Sequence, residues 1–431
     1  MLLMVNLFIL LTAYLIIKTV REPLILASGG AEVKSYAAAG QALLLLLVVP
    51  AYGFLASKVN RIKLITWVNL FFISNLVAFY ILAQAQVPLG VVFFLWVGIF
   101  NLLVIAQFWS FANDIYTEEQ GKRLFALIAF GGSLGAILGP TVAGWLFKPL
   151  GPYPLMLVTS ALLAVYLVII NFVNGREKRL NLASTIKKAE AEKPLGKDGA
   201  FKLVVGRRYL LLIALLLVIL NLVNTTGEFI LGKTVTKRAQ ELSASQQSPV
   251  RATGAALSVA QAESQKVTHA FIGEFYASYF FWVNLISAMV QLFLVSRIIK
   301  YMGVAVALFV LPVIALGGYS LVIFMPVLSF IMGAKIMENS VDYSLQNTCR
   351  HALFLPTSRE EKYKAKAAID TFFVRTGDVL SSVLVFIAVQ LAFDIGAMAK
   401  VNIAFVILAL LLVAGIGRHY QKLTAEARPA V

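Results

Sequence analysis

The chain has 431 residues, 60% hydrophobic and 13% charged, with a formal net charge of +16. A soluble domain is about one quarter charged, so this composition excludes a soluble globular protein and points to a bilayer. The basic excess lies mostly in short loops between apolar runs, where it signals orientation rather than a nucleic-acid surface, and the single cysteine, Cys349, excludes an intrachain disulfide and a cysteine-ligated metal cluster.

Twelve apolar runs are long enough to cross a membrane: 2–26, 37–56, 64–85, 88–112, 124–147, 153–173, 209–231, 274–295, 303–324, 327–346, 367–393 and 401–418. Their length and the lack of ten-residue alternation predict helices, not strands. The first run lacks a basic n-region and a small-residue cleavage site, so it reads as a span rather than a removable signal peptide. Segment 174–208 holds ten lysines and arginines against four acids. It is expected to be a basic cytoplasmic linker between an N-terminal six-helix bundle (1–173) and a C-terminal one (209–418), followed by a tail (419–431). Both termini are then cytoplasmic. Lys58, Arg61, Lys63, Lys122 and Arg123 lie in loops that the same topology puts inside. Residues 233–272 are rich in Ser, Ala, Gln and Thr and are expected outside the membrane as a flexible insertion with room for a short helix. They read as a lid or, preferably, as a tolerated surface insertion. The loop with Asn113, Asp114, Glu118, Glu119, Lys122 and Arg123 reads as a solvated turn, with an ion-paired gate as the alternative.

The halves carry a weak repeat: Ser57-Lys58-Val59-Asn60-Arg61 and Ser296-Arg297-Ile298-Ile299-Lys300 share a pattern at an offset of 239. Gly53-Phe54-Leu55-Ala56-Ser57-Lys58-Val59-Asn60-Arg61-Ile62-Lys63 resembles the loop 2–3 signature of the major facilitator superfamily, with Ser57 where that signature has an acid. Gly131, Gly135, Gly139-Pro140 and Gly144 are similar to the span 5 Gly-Pro motif of antiporters in that superfamily; glycines four apart let helices approach closely and proline bends them. The resemblance implies an all-α integral membrane fold with twelve transmembrane helices in two six-helix bundles.

Gln107-Phe108-Trp109-Ser110-Phe111-Ala112-Asn113-Asp114, Lys122-Arg123-Leu124-Phe125, Asp342-Tyr343-Ser344-Leu345, Leu355-Pro356 and Lys364-Ala365-Lys366-Ala367-Ala368-Ile369-Asp370 resemble, more narrowly, the ATP/ADP antiporter family of plastids and intracellular bacteria and its free-living bacterial relatives. That family exchanges nucleotides and uses charged residues in spans 1, 4, 7 and 11. Arg21 stands where the family has a lysine, with Lys18 beside it. Val97, Asn224 and Asp378 stand near the family's charged positions in spans 4, 7 and 11 and depart from them, so the scaffold matches while much of the substrate set differs. The resemblance implies a small anionic substrate of the ATP/ADP kind, a lipid environment, a monomer and the bacterial inner membrane.

Ten ionisable residues fall within or at the ends of the apolar runs: Lys18, Arg21, Glu22, Glu228, Lys335, Glu338, Asp342, Asp370, Arg375 and Asp378. A charge at the bilayer centre costs a few kcal/mol on the mildest scale, so such groups usually face a cavity and mark a substrate or ion path. At about 100° per residue, Lys18, Arg21 and Glu22 share an arc of about 100°, as do Asn221, Asn224, Thr225 and Glu228, while Lys335, Glu338 and Asp342 share about 60°. Lys18, Arg21, Asn224, Glu228, Lys335 and Arg375 are the candidate substrate ligands; the bases suit phosphate or carboxylate. Glu22, Glu338, Asp342 and Asp378 are candidates for coupling or gating, and Lys335–Glu338 reads equally as a structural ion pair. Four bases stand against six acids, which favours a smaller or less charged substrate, or some protonated acids. Phe108 and Trp109 read as packing rather than a stacking platform. With no nucleophile–histidine arrangement, P-loop or metal-ligand spacing, neither catalysis nor a cofactor nor a metal is expected. Three functions remain open: an antiporter of nucleotides or related phosphorylated anions, a proton-coupled transporter of another solute or lipid, and a non-transporting anchor or sensor.

Overall fold

In the computed structural model, residues 1–116, 118–180, 200–246, 255–358 and 361–426 are described, and among them the only regular structure is helical. The first two predicted spans form one element, α1 (Leu2–Lys58), broken at Gly30, whose φ of 71° and ψ of −173° suit glycine alone. There follow α2 (Arg61–Gln84), α3 (Gly90–Ile115), α4 (Glu118–Leu150), α5 (Pro154–Leu180), α6 (Ala200–Gly206), α7 (Arg208–Gln246), α8 (Ala255–Met289), α9 (Val295–Ala307), α10 (Val310–Phe324), α11 (Leu328–Val341), α12 (Asn347–Ala352), α13 (Lys366–Ala368), α14 (Val374–Gln390) and α15 (Ile395–Glu426). Nine helices among the described residues are long and apolar enough to cross a membrane. Dividing the first at Gly30 and adding Val310–Phe324 and the interrupted stretch 328–352 gives the twelve predicted spans. Gly151 (φ 75°) precedes the sixth span and Ala392 (φ 52°) precedes the twelfth.

Among the described residues, four π-turns interrupt the later helices, at Val290–Leu294, Asp342–Gln346, Glu361–Ala365 and Ile369–Phe373. Such insertions of one extra residue occur frequently at functional sites. The segment 233–272 differs from its expectation. It is helical wherever it is described, because α7 runs on to Gln246 and α8 already starts at Ala255; positions 247–254 lie outside the described residues. Helix-favouring residues such as Ala, Gln, Glu and Lys in these extensions sustain helix without the long apolar run used to predict a span. Of the predicted linker, 181–199 lie outside the described residues, as do 427–431 of the tail.

The chain divides into two compact units: Met1–Ala191 with Val235–Asn284, and Glu192–Thr234 with Leu285–Val431. The first has an aromatic core in which Phe72 meets Trp96 and Phe100 edge-on, and Phe93, Trp96 and Phe100 stack along α3. Phe108 belongs to this core and Trp109 packs against it. The glycine seam of α4 lies on α1: a methyl group at Gly131 would meet the Met4 carbonyl, at Gly135 that of Phe8 and at Gly139 that of Thr12. Backbone contact this close is what small residues four apart permit. The second unit packs Ile213, Leu216 and Leu217 of α7 with Leu311 of α10, Val341 and Leu345, and Val413 of α15.

Candidate functional site

In the first unit the site is built on α1. From Leu11 to Arg21 every residue is buried except Leu11, Tyr14, Lys18 and Arg21, spaced three, four and three apart. That spacing is one helical stripe, and it carries two cations. Arg21 donates to Glu22 Oε1 from Nη2 at 2.5 Å and from Nε at 3.1 Å, and its guanidinium lies 4.4 Å from the Phe94 ring centre. Lys18 Nζ lies 4.5 Å from the Phe280 ring centre. Glu22 is fully buried, and its other oxygen, Oε2, is 2.6 Å from Lys34 Nζ. In a straight helix the Cα atoms of Glu22 and Lys34 would stand about 18 Å apart; the break at Gly30 is what brings them together. Lys34 also lies 5.1 Å from the Tyr276 ring centre, so Tyr276 and Phe280, one turn apart on α8, cover the two lysines.

The second unit holds two polar knots. In one, Lys335 Nζ, 2% exposed, is 2.7 Å from Asn224 Oδ1, 3.3 Å from the Asn224 carbonyl and 3.1 Å from Glu338 Oε1. Tyr319 OH lies 3.1 Å from both Glu338 Oε2 and the Val223 carbonyl, and Asn339 donates to Glu228 Oε1 at 3.1 Å. These bonds tie α7, α10 and α11. Gly227 is the small residue that admits them, since Tyr319 and Lys335 fill the space a methyl group would take. In the other knot, Asp378 Oδ1 accepts from Asn221 at 2.7 Å and Thr225 at 3.0 Å, and Arg375 donates to Oδ2 at 3.1 Å. The single polar stripe expected on α7 therefore serves two neighbours: Asn221 and Thr225 face α14, while Asn224 and Glu228 face α11. Lys335 and Glu338 form an ion pair across one turn of α11.

A cleft lined by Asn221, Asn224, Leu311, Glu338, Asp342 and Arg350 runs beside these knots. Asp370, one of the ten ionisable residues, is 2.6 Å from Lys366 and 3.7 Å from Arg350 at a half-buried position, apart from the Lys335 and Asp378 knots.

Lys34, Tyr319 and Arg350 are among the residues of these clusters that escaped the sequence reading. Lys34 fell in the gap between the first two predicted spans. Tyr319 gave no charge signal. Arg350 stands about 80° from Asp342 on an ideal helix, but the extra residue of the π-turn at Asp342–Gln346 takes back about one residue's rotation and returns it to the same face. Lys34, Arg350 and the Lys366 that pairs with Asp370 raise the bases from four to seven against the six acids.

Residues 2–344 match the family model of the Major Facilitator Superfamily. "ADP,ATP carrier protein 1" of Chlamydia muridarum is 25% identical over 316 residues, 64% of this chain and 54% of its own length. "ADP,ATP carrier protein 2, chloroplastic" of Arabidopsis thaliana is 24% identical over 309 residues, 63% of this chain and 44% of its own. The chain spans about half the length of the curated relatives it matches. Among solved structures, the POT family transporter PepTSo has a TM-score of 0.63 at 11% identity, covering 98% of both chains. The nucleoside transporter NupG has 0.59 at 14%, covering 96% of this chain and 98% of that one. At such identities the likeness is one of fold.

Proposed function

Since this chain belongs to the Major Facilitator Superfamily, we propose that it is a secondary transporter that exchanges nucleotides of the ATP/ADP kind, or a related phosphorylated anion, by alternating access. The observation that carries the reading is the part-exposed stripe on α1, where Lys18 and Arg21 present two cations from a stretch, 11–21, that is buried on its other faces. The likeness to ADP,ATP carriers supports the same substrate class. Arg21 suits the role because a guanidinium makes paired hydrogen bonds to phosphate oxygens. The reading includes a bacterial inner-membrane location with both termini cytoplasmic, inferred from the basic loops, and a monomer in lipid.

The test is counter-exchange by purified protein in liposomes preloaded with ADP. Labelled ATP is expected to enter only preloaded vesicles, and Arg21→Ala is expected to abolish entry while the variant still folds. Entry that is independent of internal nucleotide would refute exchange; undiminished uptake by the variant would remove Arg21 from the site.

A second reading is favoured by one observation: Glu338 is buried between Lys335 and Tyr319, an arrangement suited to a carboxyl group that gains and loses a proton during transport. A proton gradient that drives uptake without internal nucleotide would decide for it.

A further inference from the structure

The second unit exposes apolar and basic side chains side by side where α7 begins. The short helix α6 turns Leu203 and Val204 inward, onto the core of that unit, and packs on the π-turn Glu361–Ala365. Its other side carries Phe201 and Val205, one turn apart and 50% and 63% exposed. The Phe201 ring meets Phe372 edge-on, with ring centres 4.9 Å apart, and Phe372 is itself exposed. Arg207 and Arg208 follow at once. The Arg207 side chain is 71% exposed and stands 3.5 Å from a largely covered Glu361. Arg208 is exposed and makes no hydrogen bond or ion pair among the described residues. The apolar run of α7 starts at the next residue, Tyr209, whose hydroxyl donates to the Leu353 carbonyl at 2.8 Å and fixes the corner.

The start of a spanning apolar run marks the edge of the hydrocarbon. Two guanidinium groups just before it stand at the depth of the lipid headgroups, where basic residues gain from anionic lipid. A guanidinium also binds phosphate oxygens through paired hydrogen bonds. Exposed apolar residues beside exposed bases on a short helix suit the boundary between headgroups and acyl chains. A zwitterionic headgroup brings a cation that the two arginines repel, whereas the headgroup of phosphatidylglycerol has none.

We propose that this corner is a binding site for an anionic phospholipid, with Arg207 and Arg208 on its phosphate and Phe201 and Val205 against its acyl chains. A lipid held there ties α6 to the turn at Glu361 and, through Phe372, to the helix that leads into α14. The inference goes beyond the transport reading and needs no nucleotide.

The experiment is native mass spectrometry of the purified full chain in neutral detergent, titrated separately with phosphatidylglycerol and with phosphatidylcholine of the same acyl chains. Phosphatidylglycerol is expected to bind the wild type more tightly. Arg207→Gln with Arg208→Gln is expected to weaken it about thirtyfold, at the gain ordinary for a base at an anionic surface, and to leave phosphatidylcholine unchanged. The control is Arg297→Gln with Lys300→Gln, which removes the same charge at another exposed pair of this unit and is expected to leave both lipids as in the wild type. Soluble glycerol 1-phosphate is expected not to displace the lipid.

Equal affinity of the wild type for the two lipids would overturn the proposal. So would an equal loss in the control variant, because net charge rather than the corner would then attract the lipid. Displacement by glycerol 1-phosphate would make the corner a small-anion site and overturn the lipid assignment. The pair with Glu361 lies at the surface, where such pairs add little to folding. If the double variant nevertheless fails to fold, Arg208→Gln decides alone: a loss of about fivefold is expected, and unchanged affinity refutes the site.

Discussion

The Lys335 ammonium lies 2.7 Å from the side-chain oxygen of Asn224, on the face of α7 turned to α11. Asn224 stands near the position at which the resembled antiporter family carries a glutamate. With Glu338 already 3.1 Å from the same ammonium and Glu228 in the same knot, a further carboxylate would add to an existing excess of acid. An amide supplies the acceptor without the charge, which is the better match for a lysine that has a partner within its own helix.

Asn224→Ala removes that acceptor from a buried cation. The expected cost is about 1–3 kcal/mol, that of an unsatisfied buried donor. It should appear as a lowered melting temperature in detergent, with Asn224→Gln milder. An unchanged melting temperature would mean that Lys335 finds another acceptor.

Glu338→Gln keeps a hydrogen-bonding partner for Tyr319 and removes the direct ion-pair partner of Lys335. Under exchange, a pH gradient is expected to leave wild-type counter-exchange unchanged. Acceleration of wild-type uptake by an inward proton gradient, lost in Glu338→Gln, would replace exchange with proton coupling.

Gly135→Ala places a methyl group against the Phe8 carbonyl. The backbones of α1 and α4 must then separate, at about 1–3 kcal/mol for overpacking. Gly53→Ala, where the added methyl group meets nothing within 4 Å, is the control and is expected to be neutral or slightly stabilising because alanine favours helix. Equal melting temperatures for the two variants would show that the seam yields.

Gly30→Ala demands φ near 71° with ψ near −173° from an L-residue, a conformation that is essentially glycine's and costs on the order of 1–3 kcal/mol. The elbow is expected to relax and the Lys34–Glu22 contact to open. The measurement is ATP affinity alongside melting temperature, and both are expected to fall.

Arg350→Gln removes a cation from the cleft beside Asp342. Its contact with Asp370 at 3.7 Å is partly exposed, and such pairs contribute about 1 kcal/mol or less. Stability is therefore expected to hold while ATP binding weakens. A large drop in melting temperature with intact binding would make Arg350 a structural residue.

Much of this molecule was legible in its sequence because a bilayer imposes few choices. Apolar length located the spans, and charges inside them located the polar knots, since each such charge needs a partner within reach. Asn221, Asn224, Thr225 and Glu228 could be placed on one arc, but an arc is wide enough to address two neighbours, and only packing shows that it does. What remained hidden had local causes. A glycine break folds Lys34 back onto Glu22, a contact that no regular periodicity encodes. A π-turn shifts Arg350 by about one residue's rotation, so a wheel drawn at constant pitch misplaces everything beyond Gln346. The helical extensions at 233–246 and 255–272 carry too little apolar residue to register as spans.

Tyr276 and Phe280 hold Lys34 and Lys18 by their ring faces. Attraction between an ammonium and an aromatic quadrupole needs no proton acceptor. A phenylalanine ring has nothing to titrate, and a tyrosine ring engaged through its face presents the same quadrupole across the physiological range. The contact of these two lysines with the rings therefore does not depend on the ionisation of a carboxylate.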